Sequence, residues 1–139
     1  MSRDIDLIVI HCSATAPSVD IGAAAIRSWH VVDNGWSDIG YHYVIRRDGS
    51  IELGRDANTA GAHARGFNKS SLGVCMVGGV DEQLNPEDNF APEQYKSLEI
   101  LVRGLQAKHN CTRVEGHGDL PGVAKACPSF DVQSWLASL

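Results

Sequence analysis

His-Gly-Asp-Leu-Pro-Gly-Val-Ala-Lys-Ala-Cys-Pro-Ser-Phe, residues 117 to 130, is the stretch around which the rest of the chain can be arranged. It places a His, a Lys and a Cys in a loop with two prolines. Pro128 disfavours the helical region for Cys127, and in an extended segment residues two apart project to one side, so Lys125 and Cys127 are expected to face the same way. A thiolate beside an ammonium has the makings of a nucleophile with a lowered pKa. His117 and Cys127 equally offer a metal the nitrogen and sulfur donors that zinc prefers. A metal needs a third ligand, and the best candidate is His11, which ends the mostly apolar run Ile5 to Ile10, where a buried strand would release a side chain into a cleft.

The 139 residues suffice for one domain, 1–139, with a real core, and the 43% hydrophobic fraction fits a globular chain. A formal net charge of −5 without a Lys/Arg block argues against a nucleic-acid binder held by phosphate contacts. No segment approaches membrane-span length, so no membrane insertion is expected. The start, Met-Ser-Arg-Asp, lacks the pattern of a signal peptide, so synthesis and retention in the cytoplasm are expected. In a reducing compartment Cys12, Cys75, Cys111 and Cys127 are free thiols or ligands rather than disulfides. Cys12 and Cys75 read as small core hydrophobes and Cys111 as a loop residue without a role.

In order, Ile5–Ile10 reads as a buried strand, and Asp20 as the cap of a helix over 21–31 whose apolar side is Ala25, Ile26, Trp29 and His30. A strand over Tyr41–Arg47 turns at Asp48-Gly49 into a second over Ser50–Leu53. Tyr41 and Tyr43 are expected on one face, with Tyr41 lining a cleft, and His42 on the other. Residues 57–70 form a loop too polar for core and suited to ligand binding. Ser71–Val77 is a buried strand, and Asp81–Asn89 a polar loop. Pro92 opens an amphipathic helix to about His109, with Tyr95, Leu98, Leu101, Val102 and Leu105 at helical spacing. A strand over Thr112–Glu115 and a last helix over Asp131–Ser138, presenting Val132, Trp135 and Leu136, complete an α/β fold: one mixed sheet of about five strands, about three helices, and a metal site in a surface cleft.

Five ordered motifs carry a family resemblance: Ile-His-Cys-Ser-Ala-Thr at 10–15, Gly-Tyr-His-Tyr-Val-Ile at 40–45, Gly-Ala-His-Ala at 61–64, Gly-Val-Cys-Met-Val-Gly-Gly at 73–79 and Lys-Ala-Cys-Pro-Ser-Phe-Asp at 125–131. Together they resemble the type 2 N-acetylmuramoyl-L-alanine amidases, more narrowly the amidase-type lysozymes (endolysins) of T-odd bacteriophages, whose fold is shared with peptidoglycan recognition proteins. The resemblance implies a peptidoglycan hydrolase cutting between N-acetylmuramic acid and L-alanine. One Zn2+ per chain would be held by His11, His117 and Cys127, with Tyr41 and Lys125 assisting. Three protein ligands leave a fourth position open for water, as catalytic rather than structural zinc requires. The Gly61–Lys69 loop is expected to line the substrate groove through His63 and Asn68, with His63 alternatively a partner of a ligand or a fixing residue of the loop.

Two departures from the phage pattern stand out: a longer spacer between His117 and Lys125, and few residues before the first strand. The second weakens the contact with a phage RNA polymerase that the resemblance also raises. A monomer is expected, acting on the wall after release through membrane lesions. Three other readings stand beside the amidase: a peptidoglycan-binding module without hydrolysis, a polymerase-binding regulator, and a cysteine hydrolase using Cys127, which would leave His11 unexplained.

Overall fold

In a computed structural model that describes residues 3–139, the chain folds around a five-stranded sheet. The strands are β1 (Leu7–Cys12), β2 (Tyr43–Ile45), β3 (Ile51–Leu53), β4 (Ser71–Met76) and β5 (Arg113–Gly116), in the order β3-β2-β4-β1-β5. β1 is parallel to β4 and to β5, β2 is parallel to β4, and only β3 runs antiparallel, as the hairpin partner of β2. The mixed sheet and the reversal at Asp48-Gly49 are as the sequence led us to expect.

β1 and β4 are buried along their whole length. Parallel strands covered on both faces read as continuous apolar runs, which is why both were visible in the sequence. One face of the sheet, with Ile8, Ile10, Leu72, Val74, Met76 and Ile45, packs against Leu98, Val102 and Leu105 of helix α2 (Pro92–His109) and Val132 of α3 (Val132–Ala137). On the other face, Ala23 and Ile26 of α1 (Ala23–Ser28) cover Val44 and Cys75, while the loops carrying Ala64 and Leu120 cover Leu7 and Val9. A cleft lined by His30 and Trp36 on one side and by Ala62, His63 and His117 on the other opens between these two coverings.

Three local expectations are corrected. Asp20 does not cap α1: the Ala23 N–H is taken by Glu52 Oε1 at 2.8 Å, a partner from β3, and the helix passes into a π-helical turn over Trp29–Asp33 that leaves Trp29 exposed. Tyr41 and Tyr43 do not share a face, because Tyr41 precedes β2 and escapes its alternation; it packs with Val44 and Cys75, whereas Tyr43 packs on the α2 side. Cys111 does lie in the loop before β5, but it is not without a role: it is buried and joins the core cluster of Val114 and Leu105. All four cysteines are free.

Gln94 shows how α2 is fixed to the sheet. Completely buried, it accepts the Ala91 N–H at 2.9 Å and donates to the carbonyls of Val77 at 3.0 Å and Ile45 at 3.3 Å, closing the ends of β4 and β2. Gln94→Leu keeps the volume but strands the Ala91 N–H and the Val77 carbonyl, whereas the Ile45 carbonyl keeps the Val77 N–H at 3.0 Å. At about 1–3 kcal/mol per unsatisfied buried group, we expect a loss of roughly 3 kcal/mol in chemical denaturation. An unchanged denaturation midpoint would show that the amide is dispensable.

Candidate metal centre and active site

β1 and β5 lie side by side, with Ile10 opposite Gly116. One residue further on, at the carboxyl ends of these strands, come His11 and His117, and the parallel register sets their rings 4.5 Å apart, centroid to centroid. In open α/β sheets the carboxyl ends of the strands are where ligands bind. His11 is placed one residue before the end of β1 rather than beyond it, because His11 and Cys12 still pair with Cys75 and Met76 of β4. It is therefore a nearly inaccessible side chain, 1% exposed, on the face that carries Leu7 and Val9.

The loop after β5 brings in the third donor. Gly118 donates to the Cys127 carbonyl at 2.8 Å, and a Cβ on Gly118 would fall 2.1 Å from the carbonyl oxygen of Lys125, so only glycine permits the two arms of the loop to touch. Cys127 Sγ accepts the Cys12 N–H at 3.2 Å and lies 4.0 Å from His11 Nδ1. The donor atoms of His11, His117 and Cys127 all fall within 4.8 Å of one another, the one possible metal-binding group among the described residues. Two imidazoles and a thiol suit a borderline-soft ion, and three protein ligands at a cleft keep a coordination position open.

These residues line a cleft of about 340 Å3 together with Tyr41, His63 and Lys125. The structure thus brings His11, Tyr41, His117, Lys125 and Cys127 to one place, and Lys125 and Cys127 both line the cleft. Asn68 lies on an adjoining groove that shares Trp36, His63, His117 and Lys125 with the cleft. Its Oδ1 is engaged by the N–H groups of His63 and Ala64, both at 3.0 Å, so the oxygen ties the loop. Both ring nitrogens of His63 are also engaged, by His11 Nε2 at 2.9 Å and Ser71 Oγ at 3.1 Å. A hollow of about 380 Å3 beside His42, Tyr43 and Arg55 is roomier but holds no such donor set.

Two lining residues escaped the sequence reading. His30, expected on the apolar side of its helix, faces the cleft and accepts the Gly40 N–H at Nδ1, 2.9 Å away, while Trp36 stacks obliquely on it at 4.6 Å. Nothing local announces this: the π-helical turn rotates His30 off the helix face its spacing implies.

The electrostatics favour ligation. Burial first, then His63, His117 and Lys125, hold the His11 pKa well below 6.5, and burial followed by Lys125 lowers that of His117, so both rings keep free lone pairs at neutral pH. Cys12 and Cys127 compete for one negative charge. Their mutual hydrogen bond, then burial, pushes the Cys127 thiol up, and the same bond draws Cys12 down to about 7. A cation between the three donors would reverse this by stabilising the Cys127 thiolate. Burial, then the sulfurs of Cys75, Cys127 and Cys12, holds the Tyr41 phenol well above its ordinary value, so Tyr41 is a neutral O–H donor.

Residues 1–130 match the family described as Amidase_2, N-acetylmuramoyl-L-alanine amidase. The endolysin of Escherichia phage T7 is 46% identical over 130 residues, covering 94% of this chain and 84% of the relative. Among solved structures, the N-acetylmuramoyl-L-alanine amidase LysC from Clostridium intestinale superposes with a TM-score of 0.82 at 32% identity, covering 98% of this chain and 85% of that one. Bumblebee PGRP-SA follows at a TM-score of 0.79 and 29% identity, covering 96% and 81%. The chain belongs to the N-acetylmuramoyl-L-alanine amidase family. The expected kinship with phage endolysins, and with the peptidoglycan recognition fold, is borne out.

Proposed function

We propose that this chain is a zinc-dependent endolysin that hydrolyses the amide bond between the lactyl group of N-acetylmuramic acid and the L-alanine of the stem peptide. The observation that carries the proposal is the convergence of His11, His117 and Cys127 in a cleft that also holds Tyr41 and Lys125. One zinc per chain would be held by those three donors. The chemistry such an ion supplies when bound is Lewis acidity at a carbonyl and the acidification of water to a pKa near 7.

The protein's own groups supply the rest. Tyr41 keeps its proton and so can serve as a hydrogen-bond donor beside His11, at 5.0 Å between ring centroids. Lys125, exposed at the rim, sets its ammonium against the oxygen on which negative charge develops during attack on the carbonyl. The groove past Trp36, Arg65 and Asn68 is open to receive glycan or stem peptide, with His63 offering only its ring edge. A peptidoglycan-binding module without hydrolysis would have no use for the thiol and the lysine together.

Peptidoglycan is the partner in this reading and a monomer the working unit, made in the host cytoplasm and reaching the wall through membrane lesions. No helix among the described residues is long and apolar enough to cross a membrane. Contact with a phage RNA polymerase is a reading that only the resemblance carries.

The test is wall lysis followed by turbidity, before and after chelation and across pH. Chelation is expected to stop lysis, and stoichiometric zinc to restore it. Acid is expected to weaken both metal retention and the fold. His11, His117 and His63, the last pushed down to about 3 chiefly by burial, are neutral when folded but bind protons near 6.5 when unfolded. The unfolded state therefore holds more protons below that value, so stability is complete above pH about 6.5 and declines from there towards about 3. Full lysis in excess chelator, or undiminished zinc affinity at pH about 4, well under the reference His pKa, would contradict the proposal.

A further inference from the structure

We infer that His63 is the positioning residue for the His11 ligand, selecting the tautomer that presents His11 Nδ1 to the metal. This rests on the zinc reading of the site. His11 Nδ1 lies on the Cys127 side, 4.0 Å from Sγ, and Nε2 faces away from it, 2.9 Å from His63 Nδ1. The opposite nitrogen of His63 is 3.1 Å from Ser71 Oγ. A single relay of hydrogen bonds is thus available, and it can run in only two directions. If His11 Nε2–H donates to His63 Nδ1, and His63 Nε2–H to Ser71 Oγ, the lone pair of His11 Nδ1 is free for a cation. If Ser71 Oγ–H donates to His63 Nε2, and His63 Nδ1–H to His11 Nε2, the proton of His11 sits on Nδ1 and ligation there is blocked.

The surroundings hold the His63 ring where the relay needs it. His11, His63 and Ser71 are all buried, at 1%, 8% and 0% exposure, so little of the relay is open to water. A Cβ on Gly73 would fall 2.6 Å from His63 Cγ, so β4 is bare where the ring lies on it. From the loop side, Asn68 Oδ1 pins the His63 N–H. The loop lining the groove and the metal ligand are therefore joined through one imidazole, 52 residues from His11 in sequence. Outer partners of this kind fix ring orientation and raise ligand basicity, and losing one typically costs 10–100-fold in metal affinity.

The experiment uses the full chain. Zinc affinity is measured by competition with a chromophoric chelator for the parent, His63→Phe and His63→Gln, with folding of each checked by circular dichroism. His63→Phe fills the space without an acceptor and is expected to bind zinc about 10–100-fold more weakly. His63→Gln, whose amide oxygen can accept from His11 Nε2–H, is expected to recover most of the affinity. Nitrogen-15 spectra of the zinc-loaded parent should show His11 protonated at Nε2 and His63 protonated at Nε2. A folded His63→Phe with parental zinc affinity, or a His63 protonated at Nδ1 in the loaded protein, overturns the inference while leaving the zinc site intact. A parent that binds no zinc overturns the underlying reading instead.

Discussion

Cys127→Ala is expected to lose its zinc and with it all measurable wall lysis. The substitution leaves two imidazoles, and the sulfur it removes is also the acceptor of the Cys12 N–H, so the loop loses an anchor at the same point. A second consequence separates metal loss from simple damage. A ligand that binds only the folded state stabilises it by about 4 kcal/mol at a thousandfold excess over its dissociation constant. Added zinc should therefore raise the melting temperature of the parent and leave that of Cys127→Ala unmoved. Elemental analysis showing zinc near one per chain in the variant would remove Cys127 from the ligand set.

Lys125→Ala is expected to behave in the opposite way: zinc, fold and substrate affinity stay, and kcat falls on the order of 10²- to 10³-fold, or about 2.7–4 kcal/mol, the cost of removing one donor to an oxyanion. Because Lys125 is exposed at the rim of the cleft, its truncation strands no buried group, and stability should hardly change. Lys125→Arg is not expected to restore the rate fully, since a planar fork cannot stand in for a compact charge. A Lys125→Ala enzyme lysing walls at the parental rate would show that the ammonium is merely solvated; one that loses zinc would make it a structural part of the site.

The donors were legible in the sequence because each obeys a local rule. Lys125 and Cys127 are two apart in a non-helical loop, and His117 follows a short β run. His11 ends an apolar one, and there the rule slipped: hydrophobic patterning stops at the first polar residue, whereas β1 runs on through His11 and Cys12, held by pairing to β4. Helix α2 was read with its boundaries intact because Pro92 and its spaced apolar residues mark it from within. Helix α1 was not, since Glu52, 29 residues away, takes over the capping that Asp20 was expected to provide. His63 was offered as a partner of a ligand, but which ligand it serves, and the continuation to Ser71, had no local signature. The relay depends on β1 and β4 being neighbours and on a loop folding back across both.

The most direct measurement of the central claim is mass spectrometry of the products released from purified peptidoglycan by the zinc-loaded protein, by the chelated protein, and by the chelated protein after zinc is returned. The account predicts stem peptides with a free L-alanine amino terminus and glycan strands with unbroken sugar linkages, produced in the first and third digests and missing from the second. New reducing sugar ends, cleavage within the stem peptide, or the same L-alanine termini in the presence of chelator would contradict it.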